Sequence, residues 1–183
     1  QLADQDEVRI LEIGFGTGLN ALLSHFEKAQ PEQIIHYHSL EKYPLVEEEW
    51  QALNWPELFD EKPEYRDFYH ELHSAPWDQE HALRPTFNLW KIAANLKTHS
   101  AKAAYYDLIY FDAFSPEAQE DLWTEEIFKN MQQALKPDGK LVTYCVKGSV
   151  RRAMKAAGLV VEKIPGPPGK REMARAKRAS SDN

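Results

Sequence analysis

The sequence predicts a doubly wound α/β fold, a mostly parallel sheet with helices on both faces and an antiparallel edge strand. Three observations predict it. Short β-rich runs alternate with stretches whose apolar residues recur at helical spacing. Three glycines, Gly14, Gly16 and Gly18, follow the first run, and an acid, Glu41, ends the second. With 183 residues, 43% of them hydrophobic and 11% aromatic, the chain can fill one full core, and it reads as a single domain over 1–183.

Residues 8–13 form the first strand, ended by the glycine cluster, after which Leu19, Leu22, Leu23 and Phe26 fall on one helical face. Pro31 closes that helix, and residues 34–40 read as a second strand delivering Glu41. The crossover length suits a parallel βαβ unit. Residues 45–84 read as helical, with Trp50, Leu53, Trp55, Leu58 and Phe59 packing on the sheet and Pro56, Pro63 and Pro76 dividing the segment. Residues 86–92 are a third strand and 106–111 a fourth, followed by the turn Asp112-Ala113-Phe114-Ser115-Pro116. A helix holding Ile127, Phe128, Met131 and Leu135 stops at Pro137-Asp138-Gly139. Residues 140–146 are a fifth strand, 150–157 a helix closed by Gly158, 159–164 a sixth strand, and 171–176 a final edge strand.

Composition narrows the function. The single cysteine, Cys145 in an apolar run, excludes an internal disulfide scaffold and reads as a small core residue. No metal site is expected. No stretch approaches the roughly 18 apolar residues of a membrane helix, and the acidic start is unlike a secretory signal, so the chain reads as soluble and cytoplasmic. The first motif begins so early that a segment ahead of the first strand is expected to be missing. Net charge is −7, yet ten basic residues face two acidic ones between Lys147 and Arg178. That stretch is therefore +8 and the remainder −15, so an acidic average does not exclude RNA.

The glycines let the backbone approach a ligand closely at a strand-to-helix turn. Residues 16–21 also satisfy the dinucleotide pattern G-x-G-x-x-A, but the first glycine after the strand is Gly14, and its register places Leu19 where a third glycine would stand. A glycine cluster alone is often only a tight turn. Glu41, 23 residues after Gly18, adds a carboxylate with two acceptor oxygens for a ribose. Asn95, after the third strand, stands where an adenine amine would be met, or is a plain surface amide. Asp112 leaves the fourth strand toward the same crevice; Ser115 and Pro116 already supply a helix cap and first-turn proline, which frees it for chemistry. Phe114 and Trp123 either flank a flat base or belong to the core. Lys147, Arg151, Arg152, Lys170 and Arg171 either grip phosphates or form a solvated charged face.

The spacing Glu12-x-Gly14-x-Gly16-x-Gly18 resembles the first motif of S-adenosylmethionine-dependent methyltransferases. Residues 11–20, 111–116, 121–124, 147–152 and 169–173 together resemble the methyltransferase domain of the MnmC family, across nearly the whole chain. The resemblance implies a Rossmann-like class I enzyme that N-methylates the 5-aminomethyl group of 2-thiouridine at the tRNA wobble position. It implies cofactor contacts from Glu12, Gly14, Gly16, Thr17, Gly18, Asn20, Glu41, Lys42, Asn95 and Asp112. Asp112 and Phe114 would be catalytic, and Ser115, Pro116, Lys147, Arg151, Arg152, Lys170 and Arg171 would meet tRNA. The FAD-dependent oxidase domain of the bifunctional enzyme is absent from this sequence, so a separate oxidase is a candidate partner. Two alternatives stay open: methylation of another amine, and a noncatalytic RNA-binding module on a nucleotide fold.

Overall fold

The computed structural model describes residues 2–53 and 62–178. Its sheet contains β1 (Glu7–Ile13), β2 (Ile34–Glu41), β3 (Glu80–Arg84), β4 (Phe87–Ala93), β5 (Tyr106–Phe111), β6 (Leu135–Thr143), β7 (Leu159–Pro165) and β8 (Glu172–Arg178). Their order is β3-β4-β2-β1-β5-β6-β8-β7. The central pairings, β4 with β2, β2 with β1, β1 with β5 and β5 with β6, are parallel, and the outer ones are antiparallel. The chain runs from β1 outward through β2 to β4, then returns to β5 on the other side of β1. The carboxyl ends of β1 and β5 therefore flank the crevice where such sheets bind ligands.

Among the described residues, the sheet is covered by the helices α1 (Leu19–Phe26), α2 (Glu47–Gln51), α3 (Pro63–Ser74), α4 (Glu125–Ala134) and α5 (Gly148–Ala156). Each buries the stripe its sequence dictates. In α4, Thr124 caps the first turn by accepting from the Ile127 amide, and Ile127, Phe128, Met131 and Ala134 turn inward. Phe128 and Met131 pack with Val150 and Met154 of α5 on Ile109, Phe111 and Leu141. On the opposite face Leu22, Trp50, Phe68 and Leu72 pack on Val8, Tyr37, Phe87 and Leu89. Truncating a fully buried aromatic such as Phe128 to alanine costs about 3–5 kcal/mol.

Three readings change. The helical assignment over 45–84 fails at β3, which forms an antiparallel hairpin with β4; its sequence Glu-His-Ala-Leu-Arg has the low apolar content of an edge strand, so it carries no strong alternation. Trp55, Pro56, Leu58 and Phe59 lie outside the described residues. The terminal strand β8 is not an edge. It inserts between β6 and β7, with Ala174 and Ala176 buried and Arg175 and Lys177 on the other face, and β7 takes the edge. Leu135 does not close α4 but opens β6 opposite Tyr106, and the strand runs through Pro137-Asp138-Gly139 with a register shift in place of a turn.

Candidate functional site

The site begins where two adjacent parallel strands end. Ile13 lies beside Phe111, and the next residues interlock: the Asp112 amide donates to Ile13 O at 3.0 Å and the Gly14 amide to Leu40 O at 2.8 Å. Gly14 has φ +93°, and a Cβ there would stand 2.9 Å from the Asp112 carbonyl oxygen. Only glycine lets the two chains lie this close. Above this floor opens a cleft of about 410 Å³, lined by the glycine turn, the ends of β2 and β4, and the turn after β5.

Gly14, Gly16, Thr17, Asn20, Glu41, Lys42, Asn95, Asp112, Phe114 and Ser115 all line this cleft. Glu41 accepts the Gly16 amide on one oxygen at 3.3 Å and the Tyr43 amide on the other at 2.8 Å, which holds its carboxylate against the glycine turn. Asn95 Oδ1 accepts the Lys97 amide at 3.0 Å.

Glu12 and Gly18 do not line the cleft. Glu12 is fully buried beneath it, where Ser39 Oγ donates to Oε2 at 2.7 Å and Asn20 Nδ2 to Oε1 at 3.0 Å. Burial pushes its carboxyl up to about 8 despite both hydrogen bonds. Gly18 serves α1, capping it at φ +72°, with His73 Nε2 3.1 Å from where a Cβ would be.

The same Asn20 Nδ2 also donates to Asp112 Oδ2 at 3.0 Å. One amide therefore joins the buried acid to the exposed one. Partial loss of solvent raises the Asp112 carboxyl above its ordinary value, opposed by the Asn20 hydrogen bond and by the Lys170 cation.

The turn after β5 is held from behind. Trp123 Nε1 donates to Phe114 O at 2.9 Å and Tyr144 OH to Ala113 O at 2.9 Å. Trp123 is buried against Phe111 and Phe128, so it belongs to the core and flanks no ligand. The Phe114 ring, by contrast, is 67% exposed.

Pro116 and the five cations lie outside the lining, and the cations differ in their engagement. Lys147 pairs with Glu117. Lys170 places its Nζ 4.4 Å from the Tyr144 ring centroid. Arg151 is partly covered, while Arg152 and Arg171 are exposed. Sequence reasoning missed Tyr144, Tyr43 and the Lys97–Asp121 ion pair at 3.0 Å, all in the cleft wall. Tyr144 was findable, because it leaves the carboxyl end of a strand parallel to β5.

A family model described as S-adenosyl-L-methionine-dependent methyltransferase matches residues 63–179. Among solved structures, the chain is similar to MnmC2 from Aquifex aeolicus, at 24% identity and a TM-score of 0.74 over 96% of this chain. It spans 55% of that protein's length. It is also similar to the antibiotic-resistance methyltransferase Kmr, at 13% identity and a TM-score of 0.55, covering 94% of this chain and 87% of that one. A third likeness is to phosphoethanolamine N-methyltransferase 2 from Haemonchus contortus in complex with phosphomonomethylethanolamine and S-adenosylhomocysteine. There the identity is 13% and the TM-score 0.52, over 87% of this chain and 35% of that one. At these identities the structures speak for the fold, and the family match speaks for the cofactor. Among the described residues no helix is long and apolar enough to cross a membrane, and no cluster of histidine, cysteine and acidic side chains is arranged to hold a metal ion. From the match over residues 63–179 and the glycine turn opening on that cleft, the chain belongs to the S-adenosyl-L-methionine-dependent methyltransferases.

Proposed function

We propose that this chain N-methylates the 5-aminomethyl group of uridine or 2-thiouridine at the tRNA wobble position. The observation that carries the reading is a nucleoside-sized cleft whose floor holds a carboxylate, Asp112, clamped by Asn20.

The cleft residues fit S-adenosylmethionine. Gly14, Gly16 and Thr17 give the backbone approach, and Asn20 faces the same end of the cleft. Glu41 keeps lone pairs free on both oxygens for two ribose hydroxyls. Lys42 and Asn95 stand on the wall where the base would lie, beside Ala94 and Leu96. Glu12 acts from beneath, through Asn20. When bound, the cofactor supplies an electrophilic methyl group on a sulfonium sulfur.

Transfer to nitrogen needs an amine with its lone pair free and aimed along the breaking bond. Asn20 occupies Oδ2 of Asp112, so Oδ1 is the oxygen that receives an amine N–H and sets its direction. The exposed Phe114 ring, next but one in the turn, offers a stacking surface for a flat base, and Ser115 and Pro116 continue that wall. Exposed Arg152 and Arg171 supply cations for the anticodon backbone.

The likeness to MnmC2 supports this substrate class. The aminomethyl group would be made elsewhere, for instance by a separate FAD-dependent oxidase, and the reaction would take place in the cytoplasm. A second reading, methylation of a small amine, gains from the Lys147–Glu117 pair, which takes one cation away from a phosphate backbone.

The test is incubation with labelled S-adenosylmethionine and tRNA carrying aminomethyluridine, followed by nucleoside analysis. Label in that nucleoside is expected. A chain that binds the cofactor yet labels a free aminomethyl nucleoside as well as the tRNA would replace the first reading by the second.

A further inference from the structure

Two adjacent cations, Lys170 and Arg171, follow the Pro167-Pro168-Gly169 loop, and the structure separates their fates. The loop is stiff. The Lys170 amide donates to Pro167 O at 2.9 Å and the Gly166 amide to Arg171 O at 3.3 Å, closing a tight turn between β7 and β8. A Cβ at Gly166 would collide with the Lys170 carbonyl, and Gly169 sits at φ +86°, so the backbone at Lys170 has one geometry. From it Arg171 points out and is exposed, whereas Lys170 is partly covered, its Nζ 4.4 Å over the Tyr144 ring. A tyrosine face is a favourable seat for an ammonium group.

Tyr144 is itself fixed. Its hydroxyl donates to Ala113 O at 2.9 Å, and its ring lies edge-on to Trp123 with centroids 6.0 Å apart. Lys170 is thus docked on the residue that holds the backbone immediately after Asp112. Among the described residues, Asn20 on α1 touches the Asp112 carboxylate, and Glu12 on β1, Tyr37 on β2, Tyr144 after β6 and Lys170 lie near enough for their charges to act on it. Lys170 is the cation among them; the others are neutral, or acids whose ionisation would oppose a charge on Asp112.

We infer that Lys170 is a positioning residue for Asp112: held on the Tyr144 ring by the Gly166–Gly169 loop, it brings a positive charge to the turn that carries this carboxylate. It therefore does not serve as a phosphate grip, and of the adjacent pair only Arg171 is left for a polyanion. The inference rests on Asp112 being the amine-facing carboxylate, and it assigns to the loop a role in the chemistry of the cleft.

The experiment is a carbon-13 NMR titration of the Asp112 carboxyl in the full chain without cofactor, compared with Lys170→Gln, Lys170→Met, Lys170→Arg and Arg171→Gln. Thermal unfolding verifies that each variant is folded, and Lys170→Met keeps an apolar stem on Tyr144 should the glutamine variant lose the loop. Lys170→Gln and Lys170→Met should raise the Asp112 midpoint by about half a pH unit or more, roughly a threefold loss in acid strength. Lys170→Arg should restore the wild-type value, and Arg171→Gln should leave it unmoved. In steady-state assays the acidic limb of kcat/KM should move up with the midpoint in Lys170→Gln and return in Lys170→Arg. A midpoint that ignores Lys170, or one that responds equally to Arg171, overturns the inference. The titration needs neither cofactor nor tRNA, so a failure of the tRNA assay alone would sink the substrate assignment and leave the Lys170–Asp112 coupling standing.

Discussion

Replacing Glu12 by glutamine should make the protein more stable, and increasingly so as pH rises. Glu12 is fully buried, and its carboxyl is pushed from the ordinary 4.5 to about 8. Between those values the folded state keeps a proton that the unfolded chain has released. Stability from this group is therefore complete below pH 4.5, falls as pH rises, and reaches its floor above about 8. Every tenfold change in acid strength is worth about 1.4 kcal/mol, so the full loss is at most about 5 kcal/mol. Between pH 5.5 and 8.5 the two values give a loss of about 3 kcal/mol. Glutamine copies the protonated acid: its carbonyl accepts from Asn20 Nδ2, and its NH2 group donates to Ser39 Oγ, which turns from donor to acceptor. Urea unfolding of wild type and Glu12→Gln at both pH values measures the difference directly. The advantage of Glu12→Gln should widen by about 3 kcal/mol at the higher pH, or by about 6 °C or more in Tm for a domain of this size. An advantage that stays constant across the two pH values would show that Glu12 is ionised in the fold, and the argument from burial would be wrong.

Gly14→Ala places a Cβ 2.9 Å from the Asp112 carbonyl at φ +93°, and should cost about 1–3 kcal/mol in chemical denaturation while lowering turnover more than about tenfold, because the displaced group is the turn that carries Asp112. Glu41→Ala removes the acceptor that meets the Gly16 and Tyr43 amides. Calorimetry with S-adenosylhomocysteine should show affinity weaker by roughly 10- to 100-fold, the worth of about one hydrogen bond to a charged group. The salt dependence of tRNA binding should be shallow. If Arg152 and Arg171 make the phosphate contacts, the slope of log K against log salt is about −1.4 to −1.8, whereas five engaged cations would give about −3.5 or steeper.

The central βαβ unit and the glycine turn were legible because two independent signals coincide there. The run ending at Ile13 is apolar enough to be a buried parallel strand, and a strand that must turn at once into a helix over a close neighbour demands glycine. The same logic exposed the turn after Phe111, whose residues leave a strand that is apolar but for Asp107. The strand β3 was not legible, since an edge strand with half-exposed His81 and Leu83 needs no alternating pattern to be stable. The place of β8 was not legible either. Its basic side chains suggest an edge, and only the pairing of buried Ala176 with Leu141 and Val161, and of buried Ala174 with Thr143 and Lys163, explains an interior position. Strand order depends on which small residues fit between two neighbours, and a single strand's composition does not state it.

The basic stretch at the carboxyl end shows the same limit in electrostatic form. As a sequence it is ten cations against two anions, which suggests a broad surface for a polyanion. In the fold, Lys163 pairs with Glu172 at 2.8 Å, Arg175 with Glu162 at 2.8 Å, and Lys147 with the distant Glu117. Arg178 donates to Leu135 O at 3.1 Å, and Lys170 rests on Tyr144. What decides the function of a cation is its distance from the nearest anion, and Glu117 lies thirty residues from Lys147 in the chain, where no local window could see it. Charge still matters, but at two scales. If the substrate is a polyanion, the acidic body and basic hairpin would orient it over the Debye length of about 8–10 Å. Contact would then fall to the few exposed cations, such as Arg152 and Arg171. Asp112 is joined through Asn20 to the buried Glu12 below it, and Lys170 is docked on the Tyr144 ring beside its turn.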